Sequence, residues 1–267
     1  RFGSEDQEYC YQIASTYYDY GCYGEALKLF ITIKGYKDVD ERLSSDANLK
    51  AAKQDKVKIG DYISLAKYPS SKNGTTITPI EWLVIDKDDQ KALVISRYGL
   101  EAAIYHAPDY IDDPSEGIPW HMSTIRAWLN STFLDKAFSD AEKKCILLSD
   151  IDNSDSQNFE DWNTAVGRPT QDKVYLLSYL EAHKYFNVDD FTTNPKAVLT
   201  PTEFATQPPR QSVMDKAHEG CWWLRSPGAV GGCIAFIDAD GTLNSCPYIF
   251  SCCVRPAMWI DTDSDVL

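Results

Sequence analysis

The tract Cys221-Trp222-Trp223-Leu224-Arg225-Ser226-Pro227-Gly228 constrains the fold more than any other feature of this chain. It is answered near the C-terminus by Val254-Arg255-Pro256-Ala257-Met258-Trp259-Ile260. Two adjacent Trp carry large apolar rings that need cover, and the Pro-Gly step ends the run in a turn. Such a tract makes a packed corner between strands, not a reaction centre. Pro256 marks the closing strand as an edge or bulged strand, because proline donates nothing to a ladder.

Periodicity divides the chain. Residues 8–33 read as two helices, the second with an apolar stripe at Tyr23, Ala26, Leu27, Phe30 and Ile31. A third short helix is expected over Asp38–Leu43. The arrangement of Ala14, Tyr18, Gly21, Tyr23, Ala26 and Phe30 resembles one tetratricopeptide-type hairpin, a unit that normally needs neighbours to bury its faces. Residues 1–45 are therefore expected to form a helical hairpin, 46–56 a linker and 57–267 the main domain.

In the main domain, β-branched runs at Ile80–Asp86 and Lys91–Arg97 flank a polar turn, the pattern of a hairpin. Cys233–Ile237 and Thr242–Cys246 flank Asp238-Ala239-Asp240-Gly241 in the same way. Ser139-x-x-Glu142 and Ser178-x-x-Glu181 are capping boxes that open helices. A strand is expected over Lys173–Leu177. Hairpins at both ends with helices and long loops between predict an α+β domain rather than alternating βαβ units.

The formal net charge of −14 disfavours phosphate backbones and anionic membrane surfaces, so nucleic acid is not an expected partner. No apolar run reaches the ~20 residues of a membrane span. The chain opens on Arg1-Phe2-Gly3-Ser4 without an initiator Met and is expected to be a processed or trimmed piece. Contact with a membrane would come only through an anchor upstream of it. Eight Cys are present, five of them between 221 and 253, with no Cys-x-x-Cys spacing. One or two bridges there fit an exported protein, and buried free thiols fit equally well.

Six motifs, in order, resemble a bacterial domain family of unknown function: Gly60–Ile63, Pro79–Val84, Ile125–Asn130, Lys173–Ser178, Trp222–Gly228 and Val254–Ala257. The family looks like a branch of the C-type lectin-like fold, the scaffold shared with formylglycine-generating enzymes. The resemblance implies a compact α+β domain, extracytoplasmic and often at the surface of Gram-positive bacteria, with no settled activity.

Several candidate sites can be weighed on their residues. Asp238-x-Asp240-Gly241 lacks the spacing of an EF-hand loop and reads as a turn. None of His106, His121, His183 and His218 stands at metal or hydrolase spacing. No metal site and no cofactor is expected. Arg225 and Arg255, like Trp222 and Trp223, are read as scaffold: each Arg half-buried, stacked on Trp and paired with a carboxylate. Cys233 and Cys246 are similar in position to the paired cysteines of formylglycine-generating enzymes, and flanking one turn they are expected to face each other across it. A disulfide or packed thiols account for them more simply.

Aromatic residues in the long loops suit sugar stacking or protein contact. The candidate ligand residues are Tyr110, Trp120, Asp161, Trp162 and Asn163, with Tyr105 and Phe159 nearby; alternatively, these rings cover small cores of their own loops. The expectation is a non-catalytic, extracytoplasmic binding module for a glycan or protein ligand, on the cell surface or secreted. A thiol-dependent oxidoreductase and a structural spacer are the alternatives.

Overall fold

A computed structural model describes residues 3–54, 57–88, 90–108, 117–160, 162, 167–189, 192–207, 220–264 and 266–267. Helices come first: α1 (Ser4–Asp19), α2 (Tyr23–Thr32), α3 (Val39–Ser45) and α4 (Ala47–Gln54). Then follow β1 (Tyr62–Pro69), β2 (Ile77–Lys87), β3 (Lys91–Ser96) and β4 (Glu101–Ile104). A helical stretch comprises α5 (Thr124–Trp128), a π turn at Leu129–Phe133, α6 (Leu134–Ala137) and α7 (Asp140–Cys145). After β5 (Ser149–Ile151), β6 (Thr170–Asp172) and α8 (Tyr179–Phe186) come β7 (Trp222–Pro227), β8 (Cys233–Ile237), β9 (Leu243–Pro247), β10 (Ser251–Val254) and β11 (Ala257–Asp261). The protein is mixed α+β.

The α2 stripe buries Ala26, Leu27 and Phe30 in a core of its own, shared with Ala14 of α1. The expected linker is largely helix instead. Asp46 caps α4 by accepting from the Asn48 and Leu49 N–H groups at 2.9 and 3.0 Å. Leu49 then joins the α2 core, so apolar burial continues through the segment.

The second core begins at Val57. One sheet has the order β1-β2-β3-β11, all antiparallel, and the last strand closes onto the expected β2–β3 hairpin. The other has the order β4-β10-β7-β8-β9, with β7 and β10 parallel. β5 and β6 pair as a separate ribbon. Pro256 is not inside a strand. Arg255-Pro256 carries the chain from the second sheet to the first, where a missing N–H breaks no ladder. Ser96 holds this crossing: its N–H donates to the Pro256 carbonyl at 2.9 Å, and its own carbonyl accepts from Arg255 Nε at 3.1 Å.

Every residue of β7 is buried. The Trp222 and Trp223 indoles donate to the Ala197 and Ala103 carbonyls at 2.9 and 2.8 Å, so neither ring buries an unpaired polar group. Rings of this kind bury roughly 150–250 Å², about 4–6 kcal/mol each at ~25 cal/mol/Å².

Lys173–Leu177 is not the expected strand, although it is buried from Val174 on. A single backbone bridge joins Tyr175 to Ala257, and side chains supply most of the rest. Asn130 Oδ1 accepts from the Lys173 and Val174 N–H groups at 2.8 and 3.2 Å, and its Nδ2 donates to the Val174 carbonyl at 2.8 Å. Arg225 donates to the carbonyl of Leu176 through Nη1, at 3.0 Å, and to that of Leu177 through its backbone N–H, at 2.9 Å. The Trp-Leu-Asn and Trp-Trp-Leu-Arg motifs thus clamp the same extended segment from two sides.

Candidate functional site

The loops expected to bind ligand offer little concave surface among the described residues. Tyr110, Asp161 and Asn163 lie outside those residues. Trp120 is buried, not presented to a ligand. Its indole donates to Asp172 Oδ2 at 2.9 Å, and that carboxylate also accepts from Thr170 Oγ1 and Arg126 Nε, both at 2.7 Å. Tyr105 is buried beside it, its hydroxyl on the Arg225 carbonyl at 3.1 Å. Trp162 is half-buried and meets Phe159 edge-on at 5.4 Å, and Phe159 meets Tyr179 at 5.2 Å. The crevice flanked by Trp120, Asn153 and Arg225 measures only about 10 Å³, too small for more than one water.

Cys233 and Cys246 do not face each other as a pair; Cys246 instead lies beside Cys252, which also neighbours Cys221. Cys233 lies opposite Pro247, and Cys246 opposite Ile234. The two are one residue out of register, so their Cβ atoms point to opposite faces of the hairpin rather than toward each other. All eight cysteines are free thiols. Burial, and next the neighbouring Cys246, push the Cys233 thiol up, the wrong direction for a nucleophile. Burial likewise raises Cys145 to about 11 and Cys253 to about 12. Asp238–Gly241 forms the turn between β8 and β9, where Asp240 Oδ1 accepts from the Thr242 N–H and hydroxyl at 3.0 and 2.7 Å. Among the described residues no group of three or more His, Cys, Asp or Glu side chains is placed to hold a metal ion.

The two arginines differ from each other: Arg225 pairs with a carboxylate and lies over the Tyr175 ring, whereas Arg255 lies over Trp222 without such a pair among the described residues. Arg225 is fully partnered: Nε donates to Asn153 Oδ1 at 3.1 Å, Nη1 to the Leu176 carbonyl and the Glu181 carboxylate, and Nη2 to the Asp152 carbonyl at 2.9 Å. Arg255 is stacked as expected, its guanidinium 4.9 Å from both the Phe186 and Trp222 ring centroids. Among the described residues no carboxylate pairs with it; Nε donates to the Ser96 carbonyl, and the buried Nη1 has no hydrogen-bond partner there. Burial lowers this guanidinium to about 10, so it is still charged at neutral pH.

Arg255 lines a cleft of about 720 Å³. One wall is Ile59–Tyr62 and the β2 stretch Leu83–Ile85, where a bulge between Val84 and Asp86 sets Ile85 apart from the ladder. Arg97 and Tyr98 follow from the end of β3. Arg97 stacks over Tyr62 at 4.7 Å and pairs with Glu81 at 3.1 Å. The opposite wall is the last turn of α8 and the segment 195–200. Tyr185 is fixed there by its hydroxyl on Asp86 Oδ2 at 2.7 Å, which also accepts from Lys184 Nζ at 2.8 Å. Asn187 ends α8 at φ +54°, and Asn194 Nδ2 donates to the Phe186 and Asn187 carbonyls at 2.7 and 2.9 Å. Asn194 is itself held by the β8–β9 turn, its N–H on the Asp240 carbonyl at 3.2 Å. There Gly241 stands at φ +88°, and a Cβ on it would lie 2.1 Å from the Asn194 carbonyl oxygen.

The sequence reading did not find this cleft. Its lining comes from six separate stretches of chain with no shared motif. The available signal was Arg255 itself, a cation inside an apolar closing run and directly before a proline.

A family model described as Domain of unknown function (DUF6273) matches residues 89–262. Comparison with curated proteins and with solved structures found no match. The matched stretch runs from β3 to β11 and includes both clamping motifs and Arg255. The chain belongs to the DUF6273 family, a domain of unknown function.

Proposed function

We propose that the main domain is a non-catalytic binding module and that it takes its ligand in the cleft beside Arg255. The observation that carries this reading is a charged guanidinium lying against two nearly perpendicular rings, with a buried donor that nothing in the described protein satisfies. Buried polar groups are nearly always paired, and an unpaired one asks for an explanation. The cleft volume of about 720 Å³ falls in the range of small-ligand sites. Ile59, Tyr62 and Val198 leave apolar surface in water around it, a further mark of a binding surface.

The C-type lectin-like scaffold, the tetratricopeptide-like hairpin and the extracytoplasmic setting belong to the same proposal and rest on the motif resemblance. Ligand-observed NMR against mixed saccharide and peptide libraries tests the reading. Hits should disappear on Val198→Trp, which fills the cleft from an exposed position, and survive Trp162→Ala. Loss of hits on Trp162→Ala alone would move the ligand surface to the 150–170 loops. A wild-type protein without hits would favour a spacer.

A further inference from the structure

We infer that the cleft binds a carboxylate carried on a sugar ring, with Arg255 as its anchor; the inference rests on the binding reading above. The chain has 40 acidic residues against 26 basic ones, yet among the described residues the cleft lining contains Arg97, Lys196 and Arg255 and neither Asp nor Glu. The nearby carboxylates are already engaged. Glu81 pairs with Arg97, and Asp86 is held by Lys184 and Tyr185. Of the three, Arg255 is the cation whose buried Nη1 has no hydrogen-bond partner and no carboxylate among the described residues. Removing a charge from water without a counter-charge is costly, and an incoming anion offsets that cost.

The geometry selects the kind of anion. The guanidinium lies against the Phe186 and Trp222 rings, and Nε is committed to Ser96. Nη1 remains without a partner among the described residues, and a guanidinium is a planar fork that matches the two oxygens of a carboxylate. A phosphate dianion would require more positive charge than this. Glu81 already offsets Arg97, and Lys196 lies exposed in water. The cleft faces the C-terminal end of α8, the end whose dipole disfavours anions.

The walls select what carries the carboxylate. Tyr62 and Tyr98 present rings whose hydroxyls have no partner among the described residues, the combination that stacks on and hydrogen-bonds a sugar.

The test is titration of the full chain with methyl β-D-glucuronide, methyl β-D-glucoside, N-acetylalanine and inorganic phosphate, followed by calorimetry or NMR. The glucuronide should bind, and the neutral glucoside should bind roughly 10- to 100-fold more weakly, the worth of one hydrogen bond to a charged group. Arg255→Met should weaken the glucuronide by a similar factor and leave the glucoside unchanged, with an unaltered far-UV spectrum confirming the fold. Arg255→Lys, which keeps the charge but not the fork, should fall between them. Equal binding of glucuronide and glucoside, or an Arg255→Met protein that binds as wild type, overturns the anchor. Preference for phosphate overturns the carboxylate, and preference for N-acetylalanine overturns the sugar. No glucuronide binding at millimolar concentration overturns the inference as a whole. In each case, library hits that still vanish on Val198→Trp leave the binding reading intact.

Discussion

Replacing each of the two arginines by Met should give opposite results, although both lie buried in aromatic, motif-bearing tracts. Arg225→Met strands the Leu176 and Asp152 carbonyls, Asn153 Oδ1 and the Glu181 carboxylate. Removing one partner of a buried ion pair costs about 3–5 kcal/mol, and each buried acceptor left unpaired about 1–3 kcal/mol. These costs overlap, since water can enter the space that is left, so at least about 4 kcal/mol is expected. That is a large share of the roughly 5–15 kcal/mol that holds a domain folded. Arg255→Met loses one hydrogen bond to Ser96 and two ring contacts, together about 2–3 kcal/mol. It also removes a buried charge without a counter-charge, a gain of comparable size, so the net change should stay within about 1 kcal/mol. All seven Trp lie in the main domain, so Trp fluorescence during urea unfolding reports on that domain alone. If Arg225→Met unfolds within about 1 kcal/mol of wild type, or if the two variants are equally destabilised, the distinction between a saturated scaffold arginine and an unpartnered one is wrong.

Gly241→Ala should cost about 3 kcal/mol or more, from its left-handed backbone and the contact with Asn194, and should also weaken glucuronide binding, because Asn194 leads into the Lys196 wall; a thermal melt and the same titration check both. Burial raises the Glu142 carboxyl, but hydrogen bonds from Ser139 and from the Ala66 N–H outweigh it and leave the group lowered. Its contribution is therefore full above the ordinary glutamate value of about 4.3 and is lost as pH falls below it. Stability curves of wild type and Glu142→Gln should thus be apart at neutral pH and converge in acid; a constant gap would contradict this. In thiol titration of the native protein, exposed Cys22 should react first and half-buried Cys10 and Cys233 more slowly. Cys145, Cys221, Cys246, Cys252 and Cys253 should react only on unfolding, and fast labelling of Cys246 would reopen the thiol-enzyme reading.

What could be read from the sequence was what local chemistry decides. Apolar, β-branched runs around polar turns located β2–β3 and β8–β9, and both Ser-x-x-Glu boxes cap helices as expected, with Ser139 and Ser178 accepting from the Glu142 and Glu181 N–H groups. Lys173–Leu177 has the composition of a strand, but Asn130 and Arg225 satisfy its backbone from far away in sequence. Trp120 sits in a loop-like stretch, and only Asp172, which closes β6, makes its indole a core group. The stacking of Arg255 was legible because an Arg within Val-Arg-Pro-Ala-Met-Trp must lie against rings. Its missing carboxylate was not, since pairing depends on where Glu81, Asp86 and Glu181 fall in space. The cleft is a product of topology: β11 returns to β3, and the chain crosses between sheets at Arg255.

The most direct measurement is NMR of the arginine side chains in ¹⁵N-labelled protein, assigned with the two Met variants, during titration with methyl β-D-glucuronide. The account predicts that the Arg255 Nη resonances shift toward hydrogen-bonded values as the carboxylate is added, while those of Arg225, already committed to four partners, stay in place. Arg255 resonances that are hydrogen-bonded in the free protein and indifferent to the carboxylate would contradict it.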